Sequence, residues 1–124
     1  MTTPVQSRAE TTQMVRATRA IGQVAPSATT ATTLYTVPVK RLCTGRVFVC
    51  ERGGAAATYR IAIREDGDVL ANAHYVVYDK PLPAYQDDHS VELELDETDV
   101  ITVYASSANL SFSFLGTLEP KDTT

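Results

Sequence analysis

The chain has no tryptophan, and only two cysteines, two histidines and three phenylalanines among 124 residues. Each scarcity closes a route to chemistry. Cys43 and Cys50 lie seven positions apart in one strand-like stretch, so their side chains point to opposite faces and cannot join each other. With His74 and His89 as the only imidazoles, a zinc site lacks ligands, and two partly buried free thiols are expected. No apolar run approaches the roughly 20 residues that cross a bilayer. The start, Met1-Thr2-Thr3-Pro4-Val5-Gln6, lacks the basic residues and apolar block of a secretory signal, so synthesis in the cytoplasm is expected. There is no Gly-x-Ser-x-Gly, no His-Glu-x-x-His and no glycine-rich phosphate loop.

Positive charge is also thin. The net charge is −4. Residues 1–33 hold Arg8, Arg16 and Arg19 against Glu10, a local +2, which leaves −6 for the remainder. An acidic body without a basic stripe is a poor partner for nucleic acid.

What the chain does have is alternation. Val91, Leu93 and Leu95 alternate with Glu92 and Glu94, while Leu110, Phe112 and Phe114 alternate with Ser111 and Ser113. Tyr59, Ile61 and Ile63 do the same against Thr58, Arg60, Ala62 and Arg64. A period of two puts each apolar set on one face of a sheet. Further strands are expected at 34–37, 46–50, 74–78 and 100–105. They are separated by the turn-forming stretches Glu51-Arg52-Gly53-Gly54, Glu65-Asp66-Gly67-Asp68, Asp96-Glu97-Thr98-Asp99 and Ser106-Ser107-Ala108-Asn109. About eight short strands with no convincing helix between them predict an all-β, antiparallel β-sandwich, either jelly-roll or Ig-like. At this length there is room for one core.

The composition changes near residue 33. Ala25-Pro26-Ser27-Ala28-Thr29-Thr30-Ala31-Thr32-Thr33 has little to bury, and Met14, Val15, Ala17 and Ile21 give only a loose helical spacing over residues 9–20. The expected organisation is an extended N-terminal arm over 1–33, a sandwich over 34–119 and a flexible tail over 120–124. An arm of that length spans roughly 100 Å at ~3.3 Å per residue and orders only against a partner.

Candidate chemistry is sparse. Asp87-Asp88-His89 follows Pro81-Leu82-Pro83 and reads as a solvated loop. The acidic groups Asp66/Asp68, Asp87/Asp88 and Asp96/Glu97/Asp99 offer oxygen ligands without an EF-hand spacing. Catalytic, cofactor and metal sites are therefore expected to be absent. Tyr75 and Val77 alternate with Val76 and Tyr78, so one face of that strand presents apolar groups outside the core, which predicts cover by a neighbouring subunit.

The order of the segments resembles a family. Ile21-Gly22-Gln23-Val24-Ala25-Pro26, Thr33 to Pro38, Val47 to Gly54, Ala57 to Arg64, His74 to Asp79, Asp99 to Ala105 and Asn109 to Gly116 follow a pattern recurrent in small virion proteins of tailed bacteriophages. Glu51 departs from it, since the family commonly has Asn in that turn. The resemblance implies a non-enzymatic structural protein of the virion, made in the host cytoplasm. A capsid cement or decoration protein is expected, bound across subunits of the major capsid protein by its body and arm. The expected assembly is a homo-oligomer, a trimer, with no nucleic-acid or membrane partner. A tail, baseplate or fibre component and a carbohydrate-binding host-recognition module are the alternatives, the latter calling on Tyr75, Tyr85, Asp87 and Asp88. The expected contact residues are Arg8, Arg16, Arg19, Ile21, Val24, Tyr75, Val77 and Tyr85.

Overall fold

A computed structural model describes residues 19–121. It contains eight strands: β1 (Arg19–Val24), β2 (Thr32–Thr36), β3 (Arg41–Glu51), β4 (Ala57–Arg64), β5 (Tyr75–Leu82), β6 (Asp87–Leu95), β7 (Val100–Ala105) and β8 (Leu110–Pro120). Two single-turn 3-10 segments, Glu65–Gly67 and Asn72–His74, lie between β4 and β5. All pairing is antiparallel and nested. β1 pairs with β8, β2 with β7, β3 with β6, and β4 with β5. Two further ladders, β3 with β8 and β4 with β7, knit these into sheets of order β1-β8-β3-β6 and β2-β7-β4-β5. A chain folded back on itself in nested pairs and rolled into two four-stranded sheets is a jelly roll, so the Ig-like alternative does not apply.

The alternation in the sequence fills the space between the sheets. Val47 and Val49 of β3, Tyr59 and Ile61 of β4, Ile101 and Val103 of β7, and Leu110, Phe112 and Phe114 of β8 are buried in one cluster. The Tyr59 ring meets Phe112 edge-on with centroids 6.0 Å apart. Cys43 faces this core and Cys50 faces out, as their separation on β3 requires, and burial pushes the Cys43 thiol up to about 11.

The longest ladder joins β3 to β8 over eleven successive pairs, from Arg41↔Pro120 to Glu51↔Leu110. At its middle Gly45 faces Gly116. A Cβ on Gly45 would lie 2.3 Å from the Leu115 carbonyl oxygen, and one on Gly116 would lie 2.6 Å from that of Thr44. These obstacles are backbone, so neither can swing aside.

At one end of the sandwich the turn from β3 to β4 closes on a carboxylate. Glu51 is buried and accepts N–H bonds from Gly53 and Gly54, both 2.9 Å, and from Tyr85, also 2.9 Å. These bonds, led by that of Tyr85, hold its carboxyl below the usual range.

Several expectations are corrected here. Residues 19–24 and 32–33, expected in an arm, are strand residues. Ile21 and Val24 of β1 pack on the core, and β1 runs along β8 with Arg19 opposite Gly116. The low-apolar stretch between them concealed this, because an edge strand needs few inward side chains. The weak helix over 9–20 is overridden at Arg19 and Ala20 by pairing; its remainder, with most of the expected arm, lies outside the described residues. β8 runs to Pro120, past the boundary expected at 119, and Lys121 is bonded to Asp96 and Glu97 rather than standing apart. β6 begins at Asp87, so Asp87-Asp88-His89 is strand and not loop.

Two stability outcomes follow. A chain lacking residues 1–18 keeps a cooperative thermal transition, whereas one lacking residues 1–30 loses β1, uncovers β8 and melts at clearly lower temperature. Equal melting temperatures for the two truncations would contradict the placement of β1. Gly45→Ala, forced against fixed backbone, is expected to cost about 2–3 kcal/mol by denaturant unfolding.

Candidate interaction surface

Four strands form the edges of the two sheets, and all four are bulged. Each has a register shift that adds a residue on the edge strand: at Ile21 in β1, at Leu34 in β2, between Phe48 and Arg46 in the β6 ladder, and twice in β5. Bulges twist an edge away from further pairing. Growth by strand addition is thereby discouraged, and the faces are what the molecule offers to a partner.

On the outer face of the β2-β7-β4-β5 sheet the bulge in β5 builds a cluster. Tyr59 pairs with Lys80 and Ile61 with Val77, so Arg60 alone stands opposite both Tyr78 and Asp79. Asp79 takes a positive φ of 49°, which Asp tolerates better than most residues. Both side chains therefore turn towards Arg60. Its guanidinium carbon lies 4.1 Å from the Tyr78 ring centroid and 4.3 Å from that of Tyr104, its partner on β7. Its Nε donates to Asp79 Oδ1 at 2.6 Å. The Asp79 hydrogen bond, ahead of every other influence, raises the Arg60 pKa and keeps the group charged. Tyr75 adds an edge-to-face contact with Tyr78 at 5.1 Å. Further along β4, Arg64 donates to Thr102 Oγ1 at 3.1 Å and to the Asp68 carbonyl at 2.7 Å. An arginine clamped between two rings has already lost its rotamer freedom, so a partner does not have to order it. Tyrosine and arginine in this setting are the side chains that most often dominate protein contacts.

The outward positions on β5 are Val76 and Tyr78, 51% and 58% exposed. Val77 packs against the core instead, a correction of its expected place on the contact face. The bulges shift the parity, which alternation alone could not fix. Among the other expected contact residues, Arg8 and Arg16 lie outside the described residues, Arg19 is exposed at the start of β1, and Ile21 and Val24 face inward. Tyr85 is exposed but sits beside Gly54 at the Glu51 turn, away from Tyr75 at the opposite end of β5. The four residues suited to a sugar site, Tyr75, Tyr85, Asp87 and Asp88, are thus not gathered in one place. Arg60, Tyr78 and Asp79 were missed because their meeting depends on a bulge.

The outer face of the other sheet has the opposite character. Asp87, Glu92 and Glu94 of β6 project outward, and Arg46 of β3 makes an exposed pair with Glu92 at 3.6 Å. Next to them lies a groove of about 270 Å³ lined by Thr44, Gly45, Arg46, Phe48, Glu92, Leu115 and Thr117.

The acidic residues are largely used in holding the fold. Asp66/Asp68 and Asp96/Glu97/Asp99 converge on a cleft of about 650 Å³ at one end. Asp99 accepts the N–H groups of Asp66 and Asp96 at 3.0 and 2.9 Å, and Lys121 bridges Asp96 and Glu97 at 2.8 and 3.1 Å. Among the described residues no group of three or more His, Cys, Asp or Glu side chains is arranged to hold a metal ion. Asp88 ties the sheets together along their open side. The buried Tyr59 hydroxyl of β4 donates to Asp88 Oδ2 at 2.7 Å, and Lys80 of β5 reaches the same oxygen at 2.9 Å.

No family model matches the chain, and no curated protein matches it. Among solved structures, a pentameric capsid protein isolated from metagenomic phage sequences superposes with a TM-score of 0.42 at 13% identity, covering 89% of this chain and 68% of its own. A second structure of a pentameric capsid protein from metagenomic phage sequences, phased with iodide, gives 0.44 at 13% identity, with coverages of 95% and 74%. Below a TM-score of 0.5 such overlaps define neither a shared fold nor a shared role.

Asp88 supplies a pH test. Lys80 first, then Tyr59, hold its carboxyl below the ordinary range. A depressed carboxyl contributes stability that is complete above its unfolded pKa of about 4 and disappears as pH falls through the folded value. Asp88→Asn should lower the melting temperature at pH 7, and the gap to wild type should close below about pH 4. A gap that persists unchanged to pH 2 would remove the ion pair from the account.

Proposed function

We infer that the protein is a structural component of a tailed-phage particle that acts through its surfaces. The observation that carries this reading is the Arg60–Tyr78–Tyr104–Asp79 cluster, a preorganised contact set on an otherwise open sheet face. The order of sequence segments, which resembles small virion proteins, and the jelly roll, an architecture that recurs in viral capsid proteins, support the same reading. Fold alone does not specify function; the built surface is what favours assembly over chemistry.

Within the particle, the proposed role is that of a capsid cement or decoration protein. A homo-oligomeric body, a trimer, sits on the shell, and residues 1–18, with Arg8 and Arg16, reach across neighbouring subunits of the major capsid protein. Interfaces near 800 Å² per partner are individually modest, and a tethered segment multiplies their occupancy through effective concentration.

Cryo-electron microscopy of purified particles tests this directly. Density for the jelly roll repeated over the icosahedral shell, lost when residues 1–18 are deleted, is the expected result. Density confined to the tail would move the protein to an adaptor or fibre role. Absence from particles would overturn the virion reading altogether.

A further inference from the structure

The two outer faces of the sandwich are opposite in charge, and they belong to different sheets. The β2-β7-β4-β5 face bears Arg60 and Arg64 against Asp79, a local +1. It also carries the exposed Val76 and Tyr78 beside the clamped Arg60. The β1-β8-β3-β6 face bears Asp87, Glu92, Glu94 and Glu119 against Arg46, a local −3, with the groove between Phe48 and Leu115 at its centre. A groove of about 270 Å³ is below the usual range for a drug-sized ligand, roughly 300 Å³ upward, but admits an aromatic side chain.

We propose that the tyrosine–arginine face of one copy packs on the acidic, grooved face of a second copy, Tyr78 entering the groove and Arg60 and Arg64 facing Glu92 and Glu94. This rests on the assembly reading given above and names the partner of that face. Because the two surfaces differ, the contact is head-to-tail, and each copy has one of each to offer. Size then decides the outcome. Four strands ~4.8 Å apart and some eight residues long at ~3.3 Å each give a face on the order of 500 Å². That is less than the ~800 Å² per partner of a standard interface, so a single contact holds weakly. Repeated from copy to copy, the contact closes into a ring where the rotation allows and runs on as a stack where it does not, so that every internal copy has two contacts. The bulged edges disfavour the competing arrangement, a continuous sheet running from copy to copy.

The experiment uses full-length chains and mass measurement by sedimentation equilibrium, in multiples of 13.5 kDa. One variant, Val76→Ser with Tyr78→Ala, damages the tyrosine face. The other, Glu92→Lys with Glu94→Lys, reverses the acidic face. All four positions are exposed, and circular dichroism and melting verify that both variants fold. Wild type should sediment as an assembly of three or more copies, and each variant alone as a monomer. Their equimolar mixture should form dimers and nothing larger, because each supplies the face the other lacks. If the Glu92/Glu94 variant assembles like wild type, the acidic face is not the partner and the proposal fails while self-assembly stands. If that variant instead forms dimers on its own, the tyrosine face meets its own kind, and the head-to-tail contact is wrong. A wild type that stays monomeric at high concentration and is absent from particles removes the assembly reading itself.

Discussion

The ladder between β3 and β8 is the constraint on which the other elements depend. Its eleven pairs run the length of the sandwich, and each strand has a second partner, β6 for β3 and β1 for β8. Three of the largest core side chains, Leu110, Phe112 and Phe114, come from β8 and face the Val47 and Val49 side of β3. The ladder can be this long only because Gly45 and Gly116 let two backbones approach where any Cβ would collide with a carbonyl. Glycine usually weakens a strand interior. Here the close approach carries the register through the middle of the sheet.

Around that spine the carboxylates serve the backbone. Glu51 gathers the N–H groups of the β3–β4 turn and of Tyr85. Asp99 joins the turn before β7 to the segment after β4. Asp88 closes the side on which β5 and β6 belong to different sheets. Glu51 and Asp99 supply acceptors to backbone donors that the turns leave unpaired, and Asp88 does the same for side-chain donors of β4 and β5, which is costly to omit inside a low-dielectric structure. The acidic composition is in this sense architectural, and the charges left on the outer faces are those that distinguish one face from the other.

Much of this was legible in the sequence, because period-two alternation has one physical cause. β4, β7 and the first half of β8 follow from it almost residue by residue, as does the opposition of Cys43 and Cys50. The failures cluster where a side chain's direction depends on something other than count. β1 has only Ile21 and Val24 to turn inward, too few to mark a strand by alternation. The bulges of β5 exchange the faces of Val76 and Val77 and bring Tyr78 and Asp79 to one arginine. Asp87-Asp88-His89 carries the polarity of a loop, yet an edge strand that faces water on one side tolerates that polarity. The contact surface was visible only as an excess of apolar groups; its composition required the register.

Nested pairing also dictates when the molecule can become itself. Arg19 waits for Gly116 and Arg41 for Pro120, partners separated by most of the polypeptide. Closing such long loops before any reward is collected places all-β topologies among the slower folders, typically milliseconds to seconds. Until residues 110–120 are in place, β1 has no strand to join, β3 has only β6, and the groove lined by Leu115 and Thr117 is unbuilt. The grooved face is therefore the last surface of the sandwich to be completed. The topology acts as a timer that withholds the acidic, grooved face until its last strand has docked.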